Sequence, residues 1–439
     1  MTADRARPGP VAVVGAGWAG LAAAVGLVRA GRTVTVFEMA AHPGGRARQV
    51  QAAGGEFDNG QHILIGAYQQ TLALMREVGA DPQALLLRRP LALRYPDGTG
   101  LALPGGPPLL AFARAVLGAQ GWPWVDRLRL LRAATGWLRS GFTCPATLTV
   151  QQLCQALPAC VRHDLIDPLC VAALNTPAAE ASGQVFLRVL KDALFAGPGS
   201  ADLLLPTAPL SALLPAPAQR WLRQAGAQWR PQHRVMSLSA CAGTPAGWHV
   251  DGQAFDAVVL ATSAAEAARL VAPHHPTWAQ AAAGLQHAPI VTAYLADARL
   301  RLPEPMLALR SGRDAPAQFV FDLAALGRPA GCFAWVVSGA AQDLEGGLAD
   351  CGHRILAQAR QVFPGAFAGP DAQVIRHLAA ERRATFACVP GLDRPPLQIA
   401  PGLVAAGDYI AGPYPATLES AVRSGQAAAA ALIPAQQAG

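Results

Sequence analysis

A small group of polar side chains interrupts a chain that is otherwise strongly apolar. Residues 56–68 read EFDNGQHILIGAY and bring Asp58, Asn59, Gln61 and His62 together before an apolar run resumes. An imidazole and a carboxylate can exchange protons with a bound molecule, and the two amides can hold a hydroxyl group by hydrogen bonds. The structural alternative is that Asp-Asn-Gly forms a turn and that the histidine is a satisfied interior residue. These residues alone leave both interpretations open.

A glycine-rich segment near the start of the chain predicts a nucleotide site. VAVVGAGWAG, residues 11–20, places Gly15, Gly17 and Gly20 after an apolar strand and at the beginning of a helix. The first glycine permits a tight turn, the second lets the backbone approach a pyrophosphate, and the third permits close packing of the helix on the strand. Glu38 ends the next strand, TVTVFE, where a carboxylate can bind ribose hydroxyls.

Two more segments favour FAD over NAD. PGGRARQ follows the second strand directly and offers bare backbone and Arg46 to the same pyrophosphate. Much further along, LVAAGDYIAGPYPATLESAVRSG places Asp408 at a strand end and begins a helix near Thr417. Asp408 can bind a ribityl hydroxyl, and the N–H groups of that helix can face the flavin pyrimidine edge, where negative charge develops on reduction. A plain NAD domain needs neither feature.

Composition limits the class of protein. The chain has 439 residues, of which 52% are apolar and 14% charged, which favours a large core or an apolar cavity and argues against disorder. Its net charge of +7 comes from scattered arginines without interleaved aromatic residues, so nucleic acid is not an expected partner. An anionic membrane face or an acidic cofactor explains this charge better. The 8 cysteines form no C-x-x-C pair, and no metal site is expected.

The order of the predicted elements gives the fold class. A strand–helix–strand unit over residues 11–45 precedes a largely helical stretch from about Leu91 to Leu205. Strands of a different sheet and a final short strand with its helix follow. We predict an α/β fold, in which a Rossmann-type FAD-binding lobe is interleaved with an α+β substrate lobe. The FAD-binding lobe is expected over residues 1–90, 205–272 and 372–439, and the substrate lobe over residues 91–204 and 273–371.

One segment is a candidate for membrane contact. The chain shows no apolar stretch of about 18 residues, and its first residues lack the apolar core of a signal peptide, so we expect a cytoplasmic protein. Residues 101–142 are apolar, rich in tryptophan and basic, and Leu128, Leu131, Thr135 and Leu138 recur at heptad-like spacing. Such a helix can lie peripherally on the inner face of the cytoplasmic membrane. The alternative is a helix packed on the core with its arginines in water.

The motifs together resemble a known group of enzymes. The glycine-rich start, the GGR segment and the C-terminal GD with its helix are similar to the amine oxidase and phytoene desaturase superfamily of flavoproteins. Within it, the chain resembles the hydroxysqualene dehydroxylases, bacterial flavoenzymes of hopanoid biosynthesis, over nearly its whole length. The segments that carry this narrower resemblance are FDNGQHILIGAY, LNTP, FLRVLKDAL, DLLLP, RRATFACVPGLDRPP and YPATLESAVRSG.

The resemblance implies a set of FAD contacts. Val235 belongs to it because HRVMSL stands where a backbone of the superfamily meets the adenine. Departures occur at His42-Pro43, where arginine is expected, and at Tyr409, Ile410 and Tyr414, all around the flavin. The implied FAD contacts are Gly15, Gly17, Gly20, Glu38, Gly44, Gly45, Arg46, Val235, Gly407, Asp408 and Thr417.

The implied reaction is the replacement of the hydroxyl of hydroxysqualene by hydrogen, giving squalene, with hydride from reduced flavin and electrons from an unidentified donor. His62 is the expected proton donor or water-orienting group, Asp58 raises its basicity or caps a turn, and Gln61 holds the hydroxyl. The alternatives are a carotenoid-type desaturase, a flavin-bearing lipid carrier without turnover, and an amine oxidase. For the last, Tyr409 and Tyr414 are a partial aromatic cage.

Overall fold

The computed structural model of the protein describes residues 9–52, 55–241 and 247–433. Four parts of the predicted FAD-binding lobe, residues 1–8, 53–54, 242–246 and 434–439, lie outside these ranges. Within them the strands are β1 Val11–Val14, β2 Val34–Phe37, β3 Gln49–Ala52, β4 Gly55–Asp58, β5 Leu64–Ile65, β6 Leu86–Arg89, β7 Ala92–Arg94, β8 Gly100–Ala102, β9 Leu203–Pro206, β10 Gln228–Arg230, β11 Leu238–Ala240, β12 Trp248–Val250, β13 Gln253–Phe255, β14 Ala257–Leu260, β15 His287–Ala296, β16 Met306–Ala308, β17 Phe319–Asp322, β18 Cys332–Ser338, β19 Ile375–Phe386, β20 Gln398–Ala400 and β21 Leu403–Ala405.

Helices connect and cover these strands. A π-helical turn precedes α8 at Arg162–Ile166, and short 3₁₀ turns lie at Ala324–Leu326 and Gln342–Leu344. The α-helices are α1 Trp18–Arg29, α2 Gln69–Glu77, α3 Pro82–Leu85, α4 Pro108–Leu117, α5 Trp124–Arg139, α6 Val150–Leu153, α7 Ala159–Val161, α8 Asp167–Leu174, α9 Gly183–Leu194, α10 Leu210–Leu213, α11 Pro215–Gln224, α12 Ala264–Val271, α13 Pro276–Ala283, α14 Leu348–Val362, α15 Asp371–Val374 and α16 Leu418–Ala431.

A six-stranded sheet in the order β10-β2-β1-β14-β21-β20 confirms the predicted strand–helix–strand unit. All its pairings are parallel except β20 with β21. The central strands are runs of valine, alanine and leucine because both faces are buried, as is usual for parallel sheets. Val11 and Val13 pack with α1 and α16 on one face, and Ala12 and Val14 belong to the core of the other.

A second, five-stranded antiparallel sheet has the order β16-β17-β18-β15-β19. Along β15, Val291 and Ala293 pack into the core formed with α14, whereas the alternate residues face away from that helix. The division into two lobes remains a prediction. The predicted boundary at residue 372 would separate β19 from this sheet, to which β19 is paired along most of its length.

The stretch between β8 and β9 contains α4 to α9, as the helical prediction for this region requires. A short hairpin of β7 and β8 stands at its beginning, where only helix was expected. Among the residues that the structure describes, no helix is both long and apolar enough to cross a bilayer.

Helices α1 and α16 approach so closely that glycine is required at their contact. A Cβ atom on Gly425 would lie 2.1 Å from the carbonyl oxygen of Ala19. One on Gly20 would lie 1.9 Å from the carbonyl oxygen of Gly15, which confirms the close packing predicted for that glycine. The C-terminal helix is thereby fixed beside the glycine-rich turn.

We expect Gly425→Ala to destabilise the fold by about 1–3 kcal/mol, because the added methyl group forces two packed helices apart. The matched control is Gly136→Ala on α5, where a Cβ atom meets nothing within 4 Å. That change should stabilise by about 0.5–1 kcal/mol through helix propensity alone. Urea unfolding of both variants measures the difference. Equal effects of the two substitutions would contradict the close-contact argument.

Candidate active site

A cavity of about 610 Å³ lies between the two large sheets. Its volume falls within the range of small-molecule and cofactor sites, roughly 300–1,000 Å³. One side consists of the ends of β1, β2, β14 and β21 with the beginnings of α1 and α16. The other side is the face of β15 and β18 that points away from α14. Most of the predicted site residues line it: Gly15, Gly17, Glu38, Gly44, Gly45, Arg46, Gln61, His62, Val235, Gly407, Asp408 and Thr417.

The glycine-rich turn leaves its backbone open to this cavity. Gly15 has φ of +105°, and a Cβ atom there would lie 2.4 Å from the carbonyl oxygen of Ala261. Gly17 is the N-cap of α1 and makes a bridge to Gly44, whose N–H donates to the Ala16 carbonyl at 2.8 Å. The two glycine segments therefore form one surface at a helix N-terminus, the preferred position for a pyrophosphate. Gly20 lies behind this surface and does not line the cavity.

Glu38 is held rigidly at the end of β2. Its carboxylate accepts hydrogen bonds from the N–H groups of Ala16 at 2.7 Å and Ala40 at 2.8 Å, and its side chain is buried. Val235 lies in an irregular segment on the same side of the cavity, next to His233 and Arg234. At this end of the cavity, the Glu38 carboxylate suits a ribose and the segment around Val235 suits an adenine. The contact between Val235 and adenine remains a prediction.

Arg46 and Asp408, expected as separate ligands, bind each other. The Arg46 guanidinium lies 2.6 Å from the Asp408 carboxylate and donates to the carbonyl of Ala384 at 2.6 Å. Burial lowers the pKa of Arg46, but the Asp408 carboxylate outweighs this and the pKa is raised on balance, so the cation persists. The pair joins the turn after β2, the end of β21 and strand β19 at the cavity.

Helix α16 begins at the cavity with a defined cap. The Thr417 hydroxyl accepts from the Ser420 N–H at 3.1 Å, and the Ser420 side chain accepts from the Thr417 N–H at 2.9 Å. This capping box fixes the first turn at the cavity wall. Glu419 is buried elsewhere and accepts from the backbone and hydroxyl of Thr71, at 2.9 and 2.8 Å. It therefore ties α16 to α2 and does not line the cavity.

These features fit FAD. The open glycine surface, the buried carboxylate at the end of β2 and the exposed start of α16 lie along one continuous cavity. The glycines 15 and 20 have no space for a side chain, which explains why the turn needs them. When bound, FAD supplies hydride transfer at this cavity.

His62 lines the cavity with its imidazole. Its Nδ1 lies 3.2 Å from the carbonyl oxygen of Gly60. Desolvation lowers its pKa; the bond to Gly60 opposes this and the Arg46 charge adds to it. A neutral ring that donates from Nδ1 leaves Nε2 as an acceptor. Gln61 lines the same wall, as does Asn59, whose amide donates to the Arg46 carbonyl at 3.0 Å and to Glu381 at 3.2 Å.

The structure does not bring Asp58 into the cavity. One oxygen of its carboxylate accepts from the Leu210 N–H at 2.9 Å, and the other lies 3.2 Å from the Arg328 guanidinium. Burial raises the pKa of Asp58, and this effect exceeds the opposite effect of the contacts with Leu210 and Arg328. The side chain is occupied as a structural link between β4, α10 and the loop before β18. The expectation that it acts on the substrate or on His62 therefore lacks support from its position.

Sequence reasoning gave no role to several residues that line the cavity. Thr292 and His287 lie on β15 and belong to no motif, whereas Arg383 lies on β19 within the segment RRATFACVP. LNTP and RRATFACVP were noted only as similar segments. In the structure they meet, because the Asn175 amide donates to the Thr385 hydroxyl at 3.0 Å and the Cys388 N–H donates to the Thr176 hydroxyl at 3.0 Å.

The aromatic pair expected of an amine oxidase does not form. Tyr409 lines the cavity, but Tyr414 does not. The Tyr414 hydroxyl accepts from Arg188 at 3.0 Å, and its ring lies beneath the guanidinium groups of Arg188 and Arg423, at 4.9 and 5.4 Å.

Fold and cavity define the class of protein. Over residues 18–433 the chain matches the family of flavin containing amine oxidoreductases, and it belongs to that family. The protein is an FAD-dependent oxidoreductase, as predicted. An oxidoreductase structure from Methanosarcina mazei is 17% identical with a TM-score of 0.74, and the match covers 95% of this chain and 99% of that one. The predicted α/β flavoprotein fold is thereby confirmed.

Within this class, hydroxysqualene dehydroxylases are among the proteins that are similar over nearly the whole chain. The hydroxysqualene dehydroxylase of Sinorhizobium fredii is 28% identical over 454 residues, which cover 96% of this chain and 98% of the relative. The hydroxysqualene dehydroxylase of Rhodopseudomonas palustris is 29% identical over 452 residues, which cover 98% of this chain and 99% of the relative. The predicted resemblance is confirmed.

We expect Glu38→Ala to weaken FAD binding by roughly tenfold to a hundredfold, because a hydrogen bond to a charged group contributes about 1.5–3 kcal/mol. The control is Glu56→Ala, an exposed carboxylate outside the cavity that contacts Gln49 at 2.7 Å. Flavin fluorescence titration of the apoprotein measures both dissociation constants. Unchanged binding in Glu38→Ala would remove this carboxylate from the cofactor site.

Proposed function

We propose that the protein replaces the hydroxyl of hydroxysqualene by hydrogen, giving squalene. The names of the two full-length relatives support this substrate and reaction. The observation that carries the proposal is that His62 and Gln61 share the cavity with an apolar stretch of the five-stranded sheet that includes Ile290, Phe319 and Val336. A hydrocarbon with a single hydroxyl needs this division, since only one point on it can form hydrogen bonds.

The reaction balances with the groups available. The allylic carbon–oxygen bond breaks, the oxygen takes a proton and leaves as water, and a hydride takes its place on carbon. The substrate is reduced, and the hydride and the proton together equal what reduced FAD releases on oxidation. An external donor, still unidentified, then restores reduced FAD.

His62 orients and protonates the leaving oxygen in this proposal. The neutral ring accepts a hydrogen bond from the hydroxyl through Nε2 and so fixes the direction of the carbon–oxygen bond. The imidazolium form delivers the proton. Because the pKa of His62 is lowered by desolvation, this form is scarce at neutral pH. Turnover should therefore increase as the pH falls towards that pKa.

The apolar wall suits the hydrocarbon. Ile290, Phe319, Phe321 and Val336 line the cavity on the five-stranded sheet, and residues 171–173 of α8 line it from the helical region. A narrow crevice lined only by apolar side chains lies between α4, α5 and the first turn of α8, which contributes Leu169.

We expect reduced enzyme mixed with hydroxysqualene without oxygen to convert flavin absorbance to the oxidised form, with one squalene formed per flavin. Stopped-flow absorbance follows the oxidation of the flavin, and mass spectrometry of extracted lipid measures the squalene formed. His62→Gln should slow the step by about 10²–10⁴-fold and flatten its pH dependence, since the general acid is lost. Reduced flavin that persists beside unchanged substrate would contradict the proposal. If oxidised enzyme instead converted phytoene to a conjugated polyene, the protein would be a desaturase.

A membrane-facing surface supplies the substrate in this proposal. Of nine exposed large hydrophobic residues in the described chain, seven lie on α4 and α5. Residues 101–142 carry five arginines and one aspartate, and the Arg127 guanidinium lies over the Trp124 ring at 4.6 Å. Exposed apolar side chains surrounded by cations match the acyl region and headgroups of an anionic bilayer. The exposed residues of this surface are Leu109, Leu110, Leu117, Trp124, Val125, Leu128 and Leu138.

Combined substitution of Leu110, Trp124 and Leu128 by serine should lower binding to anionic vesicles at least about tenfold, because each apolar side chain contributes up to roughly 1.5–3 kcal/mol on burial. Met236→Ser is the control, since Met236 is equally exposed, at 62%, but lies outside α4 and α5. Co-sedimentation with phosphatidylglycerol vesicles at low and high salt measures the binding. Equal sedimentation of triple variant, control and wild type would refute the surface.

A further inference from the structure

The cavity contains a buried hydroxyl group that the protein leaves without a partner. Thr292 lies in the middle of β15 and is 1% exposed, and its Oγ1 makes no hydrogen bond within the described residues. Burying a hydroxyl unpaired costs free energy comparable to a lost hydrogen bond. A valine has the same shape and would avoid this cost. A threonine here therefore indicates a ligand that supplies the missing partner.

The position of Thr292 on the sheet directs it to the cavity. Val291 and Ala293 face α14, so the alternate residue between them points to the opposite face, where the cavity lies. Its direct neighbours on the adjacent strands are Val336 of β18 and Ala379 of β19, both apolar. The hydroxyl thus lies between apolar neighbours on the cavity wall, and the nearest polar residues on this face, Ser338 and Glu381, pair with Ile290 two positions away.

Thr292 also lies beside His62. A Cβ atom built on Gly60 would be 3.6 Å from Thr292 Oγ1 and 3.9 Å from His62 Cε1. The hydroxyl of one sheet and the imidazole of the polar segment therefore flank the same point above Gly60. Gly60 has φ of +93°, a conformation that suits glycine, and the absence of a side chain keeps this point free.

We propose that Thr292 is a second catalytic residue, whose hydroxyl donates a hydrogen bond to the leaving oxygen of the substrate. With His62 accepting from the same oxygen and Thr292 donating to it, both the lone pair and the proton of the hydroxyl are engaged. This holds the carbon–oxygen bond in one direction until the imidazolium form of His62 delivers the proton. The inference rests on the proposed function and adds the group that distinguishes a hydroxylated chain from a plain hydrocarbon.

Thr292→Val tests the role, and Thr292→Ser, which keeps the hydroxyl, is its control. Oxidised holoenzyme, which cannot turn over, is titrated with hydroxysqualene and with squalene. We expect the preference of the wild type for hydroxysqualene to fall about tenfold in Thr292→Val and to be largely retained in Thr292→Ser. The FAD dissociation constant should not change in either variant. Single turnover of the reduced enzyme should slow in Thr292→Val and recover in Thr292→Ser.

Different failures have different meanings. Equal preference in wild type and Thr292→Val, with squalene still formed by the wild type, would overturn the role of Thr292 alone. A parallel loss of FAD affinity in Thr292→Val would assign the hydroxyl to the cofactor and also overturn it. A wild-type enzyme that neither prefers hydroxysqualene nor forms squalene would overturn both this inference and the proposed function.

Discussion

The close contact between α1 and α16 is the constraint on which the site depends. Gly425 lies so near the Ala19 carbonyl that the two helices nearly touch through their backbones, and Gly26 meets Ala429 on the same interface. This contact fixes the last helix of the chain beside the first. As a result, the start of α16 and the glycine-rich turn open onto one cavity, although about 400 residues separate them in sequence.

A charged junction then joins this nucleotide side to the second sheet. Arg46 binds Asp408 and the carbonyl of Ala384 on β19, so a single guanidinium connects three chain segments. Such a partly buried pair is costly to break, because the remaining charge would stay without a partner. Asn175 and Thr385 reinforce the same region from the helical side at 3.0 Å. Polar and specific contacts therefore hold together the segments that surround the cavity.

The two walls of the cavity divide the chemistry. The nucleotide side contributes charge, open backbone and His62, whose pKa is lowered by desolvation. The sheet side contributes an apolar stretch that contains the unpaired hydroxyl of Thr292, with polar residues such as Glu381 and Arg383 towards one end. Such a division concentrates hydrogen bonding at one point of a long apolar molecule, which is where a reaction at a single carbon needs it. Asp58 shows that a residue next to the polar wall residues in sequence need not line the cavity. It adjoins the polar wall residues, yet Arg328 and the Leu210 N–H bind its carboxylate elsewhere.

The sequence by itself determined the nucleotide-binding unit and the cofactor, and its resemblance to a known family indicated the class of enzyme. The nucleotide-binding unit follows from local rules: Gly15 and Gly20 are needed because no side chain fits, and Glu38 ends a strand whose position is set by the strand–helix–strand pattern. The tertiary structure alone decided which polar residues share the cavity. Asp58 lies outside the cavity and Thr292 lines it. The side to which a β-strand residue points depends on what packs against each face of its sheet. The residues EFDNGQH and PIVTAYLA do not record that packing, since it is made by α14, β18 and β19 from distant parts of the chain.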